Sequence, residues 1–165
     1  MSLKDYDGAM QSLQEALSIK RKLNGGKDDV KVAQILSHVG ILYYEIGELL
    51  AAVTSFEEAL SIYRSHYADD TKPSVVIAET LANIGAIRSK RQQYNKAIVA
   101  LEEAMMLQII EYGDGHPAVV GTIDSLAYAY SKHGSPETTL EVGADNNACL
   151  LTRKQLYLTI LFQWI

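Results

Sequence analysis

Residues 40–59, "GILYYEIGELLAAVTSFEEA", hold two pairs of small residues at one spacing, Gly40 with Gly47 and then Ala52 with Ala59. Small residues at fixed sites on paired helices let two backbones approach closely, which larger side chains would prevent. The stretch decides the fold only if it recurs, so internal repeats come first. It does recur. "YDGAMQSLQEALSIK" from Tyr6, "LLAAVTSFEEALSIY" from Leu49 and "YNKAIVALEEAMMLQ" from Tyr94 align without gaps. Each carries a pair of alanines (Ala9 and Ala16, Ala52 and Ala59, Ala97 and Ala104) around a large apolar residue (Leu13, Phe56, Leu101). A glutamate precedes the second alanine: Glu15, Glu58, Glu103. These segments are termed B.

A second set, termed A, alternates with them: "ILSHVGILYYEIG" from Ile35, "TLANIGAIRSKRQ" from Thr80 and "TIDSLAYAYSKHG" from Thr122. Here a small residue follows a large apolar one, as Val39-Gly40, Ile84-Gly85 and Leu126-Ala127. Gly40 to Ala52, Gly85 to Ala97 and Ala127 to Thr139 are each 12 residues, and the period is 45 and then 42. The apolar spacing from Tyr6 to Gly134 is helical, with no long strand-like alternation. Pro73, Pro117 and Pro136 fall where helices should begin, at positions where a missing N–H is harmless. Gly25-Gly26, Asp69-Asp70-Thr71 and Gly113-Asp-Gly115 separate each B from the next A, while Gly47 and Gly134 close A helices. The expectation is an all-α, right-handed solenoid of antiparallel helical hairpins.

Composition narrows the function classes. The chain has 165 residues, 48% of them apolar, enough for one domain with a core. A net charge of −5 gives no sequence-wide basic excess toward nucleic acid or anionic lipid. A single cysteine, Cys149, excludes an internal disulfide and fits a reducing, cytoplasmic compartment. No run of 18 apolar residues suggests a membrane span, and the first ten residues lack the apolar core of a secretory signal.

The Gly-x6-Gly of "GILYYEIG" and the Ala-x6-Ala of "AVTSFEEA" resemble the tetratricopeptide repeat, and the long period resembles the variant found in kinesin light chains. "EYGDGHPAVVGTIDSLAYAYSKHG", residues 111–134, is similar to that family's linker and A helix. HEAT and armadillo repeats share a comparable period but do not call for the 12-residue Gly-to-Ala spacing. The array is expected over residues 3–142, beginning with a lone B helix, with residues 143–165 an atypical apolar tail. That tail is expected to cap the array or to join a second chain as a homodimer contact, the face of the third A helix bearing Ile123, Leu126 and Tyr130 being poorly covered otherwise.

The resemblance implies that A helices line a concave groove. Its residues would be Ser37, His38, Ile41, Tyr44 and Glu45 in the first copy and Ala82, Asn83, Ala86, Ser89 and Lys90 in the second. The third copy gives Asp124, Ser125, Tyr128, Ser131 and Lys132. Among these the strongest peptide-binding candidates are His38, Tyr44, Asn83, Lys90, Ser125, Tyr128 and Lys132. Asn83 matches an asparagine that such domains use to hold a peptide backbone, with His38 and Ser125 in its place in the other copies. Tyr44 and Tyr128 offer flat apolar faces with a hydroxyl handle. Kinesin light chains take acidic, tryptophan-containing peptides, and Lys90, Arg91 and Lys132 would suit one. A clamp for a peptide C-terminus is less well matched, since Glu45 and Asp124 dilute the charge.

No motif for catalysis, a cofactor or a metal stands out: no H-x3-H pair, CxxC, P-loop or GxSxG is present. The pairs Glu57-Glu58 and Glu102-Glu103 read as solvated faces, one member pairing with a Lys or Arg one turn away. His116 stands where the first copy has Asp29, and reads as a turn-shaping helix cap. The function expected is a non-catalytic scaffold for a peptide or protein partner; the alternative is a self-associating structural segment of a longer repeat protein.

Overall fold

The computed structural model describes residues 3–23, 28–68 and 75–133. They form six helices: α1 (Leu3–Leu23), α2 (Val30–Glu45), α3 (Leu49–His66), α4 (Val75–Lys90), α5 (Tyr94–Tyr112) and α6 (Pro117–His133). B segments are α1, α3 and α5; A segments are α2, α4 and α6. Each helix packs on its neighbours in sequence, α2 on α3, α4 on α5 and α5 on α6 most extensively, with α4 also touching α6. The all-α repeat fold read from the sequence is the one observed.

Starts and stops follow local chemistry. Asp29 caps α2, its Oδ1 accepting from Val32 N–H at 3.0 Å, and Lys20 of α1 pairs with the same carboxylate at 3.0 Å. At the equivalent place before α6, the His116 carbonyl accepts from Val120 N–H at 3.1 Å and its ring Nδ1 from Ala118 N–H at 3.2 Å. The ring also stacks on Tyr112, centroids 4.3 Å apart. His116 is a cap, as its sequence position implied, and Pro117 follows as the first helical residue. His116→Asn keeps a side-chain acceptor for a helix N–H. It should cost no more than about 0.5 kcal/mol in urea denaturation, and a larger loss would show that the Tyr112 stack matters more than the cap.

The α2–α3 and α4–α5 turns share one geometry. Gly47 N–H donates to Tyr44 O (3.1 Å) and Glu48 N–H to Tyr43 O (2.8 Å). In the next copy Gln92 N–H donates to Ser89 O (3.0 Å) and Gln93 N–H to Arg88 O (2.9 Å). Gly47 has φ +88°, which glycine adopts freely, whereas Gln92 sits at φ +60°. A left-handed conformation costs an L-residue ~1–2 kcal/mol, and glycine loses ~0.5–1 kcal/mol through chain entropy. Gln92→Gly should therefore raise stability by roughly 0.5–1 kcal/mol, read as a higher urea midpoint; an unchanged midpoint would mean the Gln92 side chain supplies a compensating contact. Gly134, at the same place after α6, lies outside the described residues, as do Pro73 and Pro136.

The core is a series of overlapping clusters. Val32, Ala33 and Leu36 of α2 meet Ala59 and Tyr63 of α3, with Leu17 of α1 against them. Ala52, Val53, Phe56 and Leu60 of α3 meet Leu81, Ile84 and Ile87 of α4, and Ala100 and Ala104 of α5 join them. Ala97, Ile98, Leu101 and Met105 of α5 meet Val119, Ile123, Leu126 and Ala129 of α6. Such an array is stabilised by nearest-neighbour interfaces. Ile123 and Leu126 are thus core residues against α5, and Tyr130 packs beside them. The expectation of a poorly covered α6 face at these positions does not hold, because the face they share is the one α5 already covers. The tail proposed as a cap or dimer contact, residues 143–165, lies outside the described residues.

One buried polar pair crosses the last interface. Thr122 Oγ1 donates to Gln108 Oε1 at 2.7 Å, with the two residues 4% and 3% exposed.

Candidate functional site: two clefts along the A helices

The sequence-predicted groove residues sit on α2, α4 and α6 around two adjoining clefts. A cleft of about 260 Å³ between α2 and α4 is lined by Ile41, Tyr44, Glu45, Asn83, Ala86 and Ile87, with Phe56 of α3 beneath. A second, of about 440 Å³ between α4 and α6, is lined by Ala86, Ser89, Lys90, Asp124, Ser125 and Tyr128. Ala86 borders both.

Of the seven strongest candidates, the structure brings Tyr44 and Asn83 to the first cleft and Lys90, Ser125 and Tyr128 to the second. Lys132 stands just outside, its Nζ 5.8 Å from the Tyr128 ring centroid. His38 is exposed on α2 and lines neither cleft. Lys90 joins the copies: its ammonium donates to the Tyr44 hydroxyl and lies 4.2 Å from the centroid of that ring. Apolar surface is available too, since Ile41 and Tyr128 are 47% and 49% exposed.

Hydroxyls on these helices mostly bond backward to their own backbone. Ser37 Oγ donates to Ala33 O at 3.0 Å and Ser125 Oγ to Gly121 O at 3.0 Å. Ser89 is different. Its Oγ is buried at the second cleft and has no hydrogen-bond partner among the described residues. An unmade hydrogen bond there costs about 1–3 kcal/mol, a cost that a ligand donor or acceptor reaching the hydroxyl would remove.

The glutamate pairs of α3 and α5 find their partners on neighbouring helices. Glu58 takes Arg21 of α1, and Glu103 takes Arg64 of α3 through both oxygens, at 2.6 and 2.7 Å. Glu57 takes Arg88 of α4 at 2.5 Å, and Glu102 accepts from the Tyr130 hydroxyl of α6. Burial, together with the Glu102 carboxylate, pushes the Tyr130 phenol above its ordinary pKa. The glutamates therefore bind neighbouring helices and not a cation one turn away on their own helix. Spacing could have found this, because Arg21 and Arg64 occupy the same register, as do Glu58 and Glu103. The three arginine–glutamate pairs lie at the surface, where each stabilises by at most ~1 kcal/mol.

Among the described residues, no group of three His, Cys, Asp or Glu side chains is placed to hold a metal ion, and no helix is long and apolar enough to cross a membrane.

The helical-hairpin array has a tetratricopeptide-like solenoid fold, and residues 1–65 match the tetratricopeptide repeat family. The resemblance drawn from the small-residue spacing is thereby borne out. Over 67 residues the chain is 33% identical to the Clustered mitochondria protein homolog of Candida albicans, a match covering 41% of this chain and 4% of that protein. The crystal structure of BtubC (BKLC) from P. vanneervenii is similar in fold, with a TM-score of 0.71 at 21% identity. That match covers 95% of this chain and 58% of the other. The fold is one of protein-interaction scaffolds.

Proposed function

We propose that the chain is a non-catalytic, cytoplasmic scaffold that holds an extended peptide segment of a partner protein across the two clefts of α2, α4 and α6. The observation that carries this reading is the convergence of five of the seven predicted groove residues on two clefts that meet at Ala86. The first cleft takes an apolar or aromatic side chain against Ile41, Tyr44 and Ile87, and Asn83 holds the peptide backbone there. The second offers Lys90 and, at its border, Lys132 to an acidic residue, with the Tyr128 face beside them. The unpartnered Ser89 hydroxyl favours a ligand with a polar group at that point.

Reversing the charge in Lys90→Glu, Lys132→Glu should weaken an acidic, tryptophan-containing peptide several-fold and spare a neutral peptide of the same length. The loss should shrink as salt rises, because charge contacts on an open surface are screened. Fluorescence anisotropy with the two peptides checks it, and equal affinity for the acidic peptide in parent and variant would place binding elsewhere.

A further inference from the structure

Every B helix has a face built to receive the A helix that precedes it. On α3 that face centres on Phe56, 2% exposed, packed so closely on α2 that a β-carbon at Gly40 would lie 2.9 Å from its ring. On α5 it centres on Leu101, 1% exposed and closer still to a β-carbon at Gly85 of α4, at 2.5 Å. The alanines on either side, Ala52 and Ala59, Ala97 and Ala104, are all fully buried. At the same register α1 carries Ala9, Leu13 and Ala16, yet all three are only half-buried, and no residue of α1 from Tyr6 to Leu23 is fully buried. Its principal packing among the described helices is on α2.

Charge repeats the pattern. Glu58 and Glu103 each receive an arginine from the B helix one unit earlier. Glu15 holds the same position on α1, is exposed, and accepts from Gln11 Nε2 of its own helix at 3.0 Å.

We infer that the Ala9–Leu13–Ala16 face of α1 is a docking surface for a partner helical hairpin. Its second helix presents Gly or Ala to Leu13, and its first helix ends in an arginine that reaches Glu15. The occupant's chemistry is set by the two copies of this interface within the chain, in which residues 49–90 supply both features, Arg64 and Gly85, to α5. The surface lies away from the two clefts and does not depend on peptide binding there.

The test uses a fluorescein-labelled peptide of residues 49–90 titrated into the full chain, and, in cis, the same hairpin with its connector, residues 49–93, joined directly before Tyr6. Saturable binding is expected. It should be roughly fivefold or more weaker with Gly85→Leu in the peptide, which corresponds to ~1 kcal/mol or more of overpacking. Glu15→Arg in the chain, an exposed and non-disruptive change, should also weaken it, and Arg64→Glu in the peptide should restore it. The cis fusion should melt at a higher temperature than the parent, and lose that gain when the added hairpin carries the Gly85→Leu change. Binding indifferent to Glu15→Arg would mean exchange with the chain's own α3–α4 hairpin and would overturn the inference. So would the absence of both binding in trans and stabilisation in cis.

Discussion

Gly85→Leu is expected to cost at least the ~1–3 kcal/mol typical of overpacking. A β-carbon at this position would lie 2.5 Å from Leu101 Cγ, 2.7 Å from its Cδ2 and 3.3 Å from the Ala97 carbonyl oxygen. Leu101 has nowhere to go, being 1% exposed in a cluster with Met105, Val119 and Leu126. The backbone oxygen of Ala97 yields still less. The α4–α5 pair must open, and because α4 also packs on α3 and α6, the strain reaches both sides. A chain of this size loses about 2–4 °C of melting temperature per kcal/mol. An unchanged transition in thermal denaturation would mean that α4 and α5 do not cross at this glycine.

Of comparable size is the effect of separating Gln108 from Thr122. Thr122→Val keeps shape and volume but leaves the Gln108 carboxamide oxygen, in a residue 3% exposed, without its donor. An unsatisfied buried acceptor costs about 1–3 kcal/mol. Gln108→Leu strands the threonine hydroxyl by a similar argument, although that hydroxyl can turn to a carbonyl one helical turn back. Replacing both removes the polar demand altogether and should cost less than the two single changes added together. A double-mutant cycle in urea reads the coupling, for which contacting residues give 0.5–3 kcal/mol. Strict additivity would show that the two side chains do not depend on one another.

The two variants also mark what could be read from the sequence. Gly85 was legible because packing two helices closely leaves a repeated trace: a small residue, 12 positions on an alanine, and the same again one period later. The cap at His116 was legible through its alignment with Asp29. Gln108 and Thr122 left no such trace, since a polar residue inside an apolar run looks the same whether it faces water or a buried partner. The glutamate pairs were misassigned for a different reason. Within one helix the nearest cation seems the natural partner, while the actual partners, Arg21, Arg64 and Arg88, are 31 to 39 residues away and become neighbours only through the stacking. The groove candidates fared according to depth. Tyr44, Asn83, Lys90, Ser125 and Tyr128 fall in crevices between successive A helices, so lining a cleft takes both the register and a neighbouring A helix. His38 follows the same register as Asn83 and Ser125, yet lines neither cleft.

The regular rungs between successive B helices have a consequence for length. Each contact joins one surface of a unit to a different surface of the next, a heterologous interface, which continues as an open series unless its rotation closes a ring. Nothing in the interior therefore counts the units; only residues that break the rule at a given position do so. The two ends of the arginine series differ in this respect. Glu15 continues the acceptor positions, whereas the place on α5 that corresponds to Arg21 and Arg64 is filled by Ile109, partly buried against the α5–α6 core. The series is thus directional: growth by the same rung is chemically permitted ahead of α1, while α5 offers no cation at that position to a following helix.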